Sequence, residues 1–406
     1  MMNADSDLLL LKACRSCGGE LTEFFHYEAV PIAGTYLTES DLGKEPLFPL
    51  TATLCKNCEL IQLREIVLSS IYTSYRFVGT GSASYRAYLE QMAESLISEW
   101  DVRNKRILEI GCSNGYLLKQ LREKGSNQVF GYEPSFQLQQ ACLESDIPVS
   151  GAFFSSDSLI ECPILPADVI IIRHVLEHVD DLHGFLNAVS AVLTETGFLI
   201  IEVPDVEAIL TKGFYFHFYH EHLSYFSLTS LQKLLSQHGF RIIWHRIVKI
   251  HGGSLYIVCK RYHKIHSTDL LSSKAANNLE RVCRAFATHM QAYLDTLHRF
   301  VDEQCADGAR FGGYGAAHRT TIACSLAKMT RDHIKYLVDK NPYLHGFYTP
   351  GAHLPIYSPN RLYQEPTDAI IIFATSFEEE IIKEQQTFRE AGGRFVSLLP
   401  EPRYLP

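Results

Sequence analysis

The 406 residues contain no basic run and no stripe of arginine or lysine, and the formal net charge is -9. Nucleic acid and anionic membrane therefore meet no electrostatic footprint. Long apolar runs are also missing. Leu8–Leu11 is too short for a membrane span or for the hydrophobic part of a signal, and no positive segment precedes it. Low-complexity linkers and short-period repeats do not occur. What remains is the composition of a soluble globular protein, with 46% hydrophobic and 20% charged residues. At roughly 100–200 residues per domain the length implies two or three domains. Eleven cysteines without a secretion signal read as reduced thiols in the cytoplasm, some of them metal ligands.

Two Cys-x-x-Cys pairs lie in a loop-rich start, "CRSC" (Cys14, Cys17) and "CKNC" (Cys55, Cys58). Each pair offers two thiolates from one tight turn, and four thiolates suit a tetrahedral zinc. The 37 residues between Cys17 and Cys55 exceed a compact finger, so the site clips a larger lobe. A redox Cys-x-x-Cys would sit near a βαβ pattern, and none surrounds these pairs. Four cysteine ligands leave no open position, so the role is structural.

From 105 to 261 strands alternate with helices. "KRILEIGC" is a buried strand running into glycine, "GYLLKQLREKG" a helix with a glycine stop, and "VFGYEP" the next strand. "PVSGAFF", "ADVIIIRHV", "GFLIIEVP", "FRIIWHRIV" and "GSLYIVCKR" follow. This alternation implies a parallel sheet covered on both faces. Residues 268–304 read as one long helix, with Leu279, Val282, Phe286 and Met290 at three- and four-residue steps. A smaller α/β unit comes after it, opening with "ARFGGYG" and "AAHRTTIACSLAKM".

The turn "EIGCSNG" (Glu109–Gly115) fits two chemistries. As Gly-x-Ser-x-Gly it would be a hydrolase nucleophile elbow, but such an elbow normally has several strands before it. As the first turn of a nucleotide-binding sheet it lets a ligand approach the backbone at a helix N-terminus. Glu133 ends the next strand, where a carboxylate can hold two ribose hydroxyls. NAD and S-adenosylmethionine both remain open on this reading.

Glu109-x-Gly111-x-x-x-Gly115 lacks the third glycine of the dinucleotide fingerprint and resembles the first motif of class I methyltransferases, as does "HVLEH" (His174–His178) after the fourth strand. The resemblance implies that Glu109, Gly111, Ser113, Gly115, Glu133 and His174 hold the methionine and ribose parts of S-adenosylmethionine. Ala152 and Phe153 would then lie near its adenine. The whole chain is similar to the sugar C-methyltransferases that act on nucleotide-linked deoxysugars. That likeness rests on "YHEHLSYFSLTSL", "HGGSL" (His251–Leu255) and "VDKNPYLHGFYTPGAHLPI" (Val338–Ile356). Two departures concern the substrate side. "AAHRTT", with His318 and Arg319, stands where the family often has Ala-Lys-Gly, and Tyr256 stands where it often has Arg. The implied fold is α/β, a class I methyltransferase Rossmann-like sheet with an N-terminal zinc-binding lobe (1–75), a central domain (76–262) and a C-terminal Rossmann-like α/β domain (263–406).

"YHEHLSYFS" (Tyr219–Ser227) gathers proton carriers after the fifth strand. Methylating carbon next to a keto group needs a base near neutral pKa and a donor for the enolate oxygen. Histidine and tyrosine suit those tasks. The resemblance assigns His222 as base, with Glu221 and Tyr219 orienting sugar or base and His178 near the substrate carbonyl. Tyr75 could reach in from the first lobe. His217 and His220 lack that support and are read as loop residues. A His-Glu-His metal site is the chemical rival for His220, Glu221 and His222; the two histidines at i and i+2 could pair on one strand face, but no third ligand is evident beside them. Gly315, His318 and Arg319 could bind the diphosphate of a nucleotide-linked ketosugar, although Gly315 could equally serve packing. Methylation of oxygen or nitrogen on another small molecule is the alternative activity, and a binding protein without turnover is the alternative class.

Overall fold

The computed structural model describes residues 8–67, 81–250, 252–262 and 274–406. A seven-stranded sheet forms its centre, in the order Phe240–Val248, Ser254–Arg261, Leu193–Pro204, Ala167–Arg173, Arg106–Ile110, Gln128–Tyr132, Val149–Ser150. Neighbours run parallel from Leu193–Pro204 to Val149–Ser150, and the first two strands join as an antiparallel hairpin. Helices cover both faces, which is why Val169 to Ile172 form an unbroken apolar run with no exposed residue. Of the expected strand "PVSGAFF" only Val149–Ser150 pairs.

The N-terminal sheet has the order Ser224–Tyr225, Ile61–Leu63, Leu47–Cys55, Leu21–Pro31 and is antiparallel. Its first member comes from the proton-rich stretch far along the chain. The C-terminal sheet runs Ile356–Tyr357, Ile334–Val338, Phe311–Tyr314, Ala369–Ile372, Arg394–Ser397, Arg403–Tyr404, parallel except for the last pair. Between them lies the helix Lys274–Ala306. Phe286 and Met290 are buried on it as expected, together with Cys283, Leu294, Leu297 and Val301, while Leu279 and Val282 are half-buried. These side chains share one core with Phe25 and Val30, with Phe216 and Phe218, and with Phe311 and Ile334. Among the described residues no helix is long and apolar enough to cross a membrane.

Candidate active site

The strand Arg106–Ile110 ends at Gly111, which has φ +72°. A Cβ there would stand 2.2 Å from Val175 Cγ2, so the turn requires glycine. Gly115 also has φ +72° and opens the helix Tyr116–Gly125. Ser113 and His174 both take φ +51°, which non-glycine residues seldom hold and which concentrates at functional sites. Glu133 accepts the Ser113 N–H at 2.9 Å and the Ser135 N–H at 3.0 Å. The acid therefore closes the glycine turn as well as facing the space beside it. Burial pushes its carboxyl up to about 7 against those two hydrogen bonds. Glu109 lies 3.4 Å from the buried Arg173, and burial likewise raises it to about 7.

In the proton-rich stretch, Tyr219 Oη and His222 Nε2 share a hydrogen bond at 2.7 Å. His178 Nδ1–H donates to the Glu221 carbonyl at 2.6 Å, and the His178 and His222 rings meet edge to face at 4.8 Å. The Glu221 side chain turns elsewhere. Its Oε1 accepts the Gly34 N–H at 2.5 Å and stands 3.7 Å from His318 Nε2. The Tyr219 ring stacks on His318 at 5.4 Å. Burial, then the neighbouring histidines, push His222 well below the ordinary imidazole value, and burial takes His318 to about 3. Both rings are thus neutral near pH 7. Burial would also lower His174, but the Glu177 and Glu202 carboxylates outweigh it and raise that ring to about 9.

One cavity of about 670 Å³ joins these parts. Glu109, Gly111, Ser113, Glu133, Ala152 and Phe153 line one end, the last 53% exposed and so no core residue. His174, His178, Tyr219 and His222 line the other, where His318 and Arg319 enter from the C-terminal unit. Gly115, Glu221 and Gly315 do not line it. Gly315 has φ +95°, and a Cβ there would stand 2.8 Å from that of Ala374, so this glycine serves close packing. Its loop is held by Asp339, which accepts the Ala316 and Asn341 N–H groups much as Glu133 holds the first turn. Tyr75 lies outside the described residues.

His217 ends the short 3-10 turn Tyr215–His217 and His220 stands in the turn after it, so both lie in the connecting segment, and both are buried. His220 pairs with the Pro49 carbonyl at 3.0 Å, away from any His-Glu-His cluster. His217 Nε2 accepts from Arg319 Nη1 at 3.1 Å and lines the cavity. Nothing in the sequence joins two residues so far apart. Glu177 also lines the cavity, and its signal was present in "HVLEH": a carboxylate directly after a buried strand.

The four N-terminal cysteines gather as their spacing predicts. Gly18 N–H bonds to the Cys14 carbonyl and Glu59 N–H to the Cys55 carbonyl, closing one tight turn per pair. Cys14 Sγ is 3.4 Å from Cys58 Sγ, and Cys17 Sγ is 3.5 Å from Cys55 Sγ. A tetrahedral zinc separates its sulfurs by about 3.8 Å, so the set fits one with small adjustment. Four thiols this close cannot all ionise without a cation between them.

The family model for a "Putative zinc binding domain" matches residues 14–71, that for a methyltransferase domain residues 82–245, and that for a C-methyltransferase C-terminal domain residues 249–400. The C-methyltransferase NovU of Streptomyces niveus is 27% identical over 405 residues, which span 97% of this chain and 96% of NovU. A tRNA U34 carboxymethyltransferase of Idiomarina loihiensis is 28% identical over 113 residues, 26% of this chain and 35% of that protein. Among solved structures, magnesium protoporphyrin IX methyltransferase from Synechocystis PCC 6803 with bound SAH overlaps 45% of this chain and 84% of its own, at 15% identity and TM-score 0.35. The PH0226 protein of Pyrococcus horikoshii OT3 overlaps 46% and 94%, at 17% identity and TM-score 0.37. Scores of that size carry no argument about function. The cysteine cluster, the glycine-turn sheet and the second α/β sheet follow one another in the order of the three matched domains, and the chain belongs to the S-adenosylmethionine-dependent C-methyltransferases built from them.

Proposed function

We propose that this enzyme methylates the carbon next to the keto group of a nucleotide-linked deoxysugar, through an enolate, with His222 as general base. The observation that carries the reading is the single cavity shared by the glycine turn and the Tyr219–His222 pair. Bound S-adenosylmethionine supplies an electrophilic methyl group. Ser113 and Glu133 would hold its methionine and ribose parts, with Glu109, Gly111, Gly115 and His174 shaping the turn and Ala152 and Phe153 at the adenine. His222, neutral in its buried setting, takes the proton from the sugar carbon. Tyr219 orients that ring, Glu221 fixes the loop through Gly34, and His178 stands near the developing oxyanion. Tyr75 keeps its proposed place at the substrate.

Arg319 speaks for an anionic substrate. Its half-buried guanidinium donates to His217, and among the described residues no carboxylate pairs with it. A cation of this kind at the cavity wall favours a phosphate oxygen. His318 and Arg319 therefore form the diphosphate end of the site, and Gly315 positions their loop. Zinc at Cys14, Cys17, Cys55 and Cys58 is structural, and the three functional units are 1–75, 76–262 and 263–406. Eleven cysteines read as reduced thiols support a cytoplasmic setting. Incubation with S-adenosylmethionine and a panel of nucleotide-linked ketosugars, read by mass and by the position of the new methyl, tests the reading. A methyl found on oxygen or nitrogen overturns it.

A further inference from the structure

His217 is buried at the cavity wall, and the proposed chemistry gives it no task. It ends the turn Tyr215–His217, two residues before Tyr219, and is 6% exposed. Its Nε2 meets Arg319 Nη1 at 3.1 Å. A guanidinium has donors only, so Nε2 is the acceptor and the ring's proton sits on Nδ1. Burial, then the Arg319 cation, push the imidazole well below its ordinary value, so the ring stays a neutral acceptor. The Phe214 ring stacks on it, centroids 5.3 Å apart and planes at 21°, and the His217 N–H bonds to the Phe214 carbonyl at 3.2 Å. The acceptor is thus fixed before any ligand arrives. Arg319 comes from the first turn of the helix His318–Leu326 and lines the same cavity. A carboxylate in the place of His217 would hold the guanidinium as firmly but would cancel its charge. A neutral imidazole holds it and leaves the charge for a ligand.

We infer that His217 is a positioning residue for substrate binding: it holds the Arg319 guanidinium at the cavity wall for the diphosphate of the nucleotide-linked sugar. The inference rests on the diphosphate reading of Arg319. An arginine side chain has several rotatable bonds, and a phosphate that must first order them binds more weakly. One bond to His217 fixes the planar fork, whose remaining N–H groups can meet phosphate oxygens. The neighbouring His318 stacks on Tyr219 at 5.4 Å. Both residues of the C-terminal helix that line the cavity therefore seat on the segment that carries the proposed base, which links the nucleotide end of the substrate to its reacting end.

The test compares three single variants, by calorimetry with uridine and thymidine diphosphates and by steady-state kinetics with the nucleotide-linked ketosugar. His217→Phe keeps a ring to stack on Phe214 but offers no acceptor. It should weaken diphosphate binding and raise the ketosugar KM about 3–10-fold, the cost of ordering one long side chain on binding, with kcat changed far less. His217→Gln restores an acceptor and should recover most of that loss. Circular dichroism and retained affinity for S-adenosylmethionine report that each variant has folded. In the Arg319→Ala background His217→Phe should add no further loss. An unchanged KM in His217→Phe, a fall in kcat alone, additive losses, or a glutamine variant as poor as the phenylalanine one would each overturn the positioning role. Arg319→Ala tells two failures apart. If it leaves diphosphate affinity intact, the diphosphate reading falls and the inference with it; if it weakens binding while His217→Phe does not, the inference alone falls.

Discussion

Glu133 shows how one side chain can serve two ends. It closes the glycine turn through Ser113 and Ser135, and it borders the cavity where a ribose would lie. Glu133→Ala should weaken S-adenosylmethionine binding by about 1.5–3 kcal/mol, the range for hydrogen bonds to a charged group. Calorimetry decides this, with Glu133→Gln as control for the turn alone; equal affinity in all three proteins would remove the acid from the cofactor site. For His222→Ala the expectation is turnover slowed roughly 10²–10⁴-fold with cofactor affinity nearly intact. Wild type should also release deuterium from the acidic sugar carbon to water, and a variant exchanging it at the wild-type rate would hand the base role to another residue. The residues legible in the sequence were those whose partners are near in the chain or fixed by a turn: Gly111, Ser113, Glu133 and the cysteine pairs. His217 was illegible because its partner is Arg319, brought in by the second α/β sheet. Gly315 was ambiguous because only the neighbouring loop, at Ala374, tells packing from binding.

At the scale of elements, the strand Ser224–Tyr225 matters more than its length suggests. It pairs with Gln62 and Ile61, which directly follow the second cysteine turn, and it begins two residues after His222. The proposed metal clip therefore sits one strand away from His222, the proposed base. Stripping the zinc with a chelator should abolish methyl transfer while binding of S-adenosylmethionine falls far less, since Gly111 and Glu133 belong to the other sheet. Parallel turnover and calorimetry measurements on stripped and zinc-restored protein would show this, and equal losses would separate clip from base. A second joint ties the helix Ala83–Glu99 to the C-terminal unit. Glu380 accepts from Ser82 and Ser84 at that helix's start and pairs with Lys340. Burial raises its carboxyl, but these hydrogen bonds outweigh burial and hold it near about 2, below the ordinary 4.5. A depressed folded value means stability that is present above 4.5 and fades as pH falls toward 2. Wild type should exceed Glu380→Gln in urea midpoint at pH 6, and the gap should shrink below pH 4.5. A gap independent of pH would put the effect down to packing.

The whole molecule is less divisible than its three matched domains suggest. One core takes side chains from the cysteine lobe, from the 214–219 segment and from the C-terminal unit, around the helix Lys274–Ala306. Phe286 touches Tyr215 and Phe218, with ring centroids 5.1 and 5.6 Å away, directly beside Tyr219. Phe286→Ala should cost about 3–5 kcal/mol of stability and lower turnover before it lowers cofactor binding. Denaturant midpoints and the two activities test that order, and a variant that loses cofactor affinity first would place the shared core elsewhere. The same interleaving has a consequence for synthesis on the ribosome. Ile61–Leu63 cannot be covered on one side until Tyr225 has emerged, and the N-terminal lobe cannot close its core until the long helix has followed. During that interval the nascent chain carries a bare strand edge beside unfilled apolar surface, the combination most prone to pairing with a neighbouring chain. A stall between Leu63 and Tyr225 should therefore leave fragments that aggregate, whereas a stall after the long helix should release chains whose first lobe is already sealed.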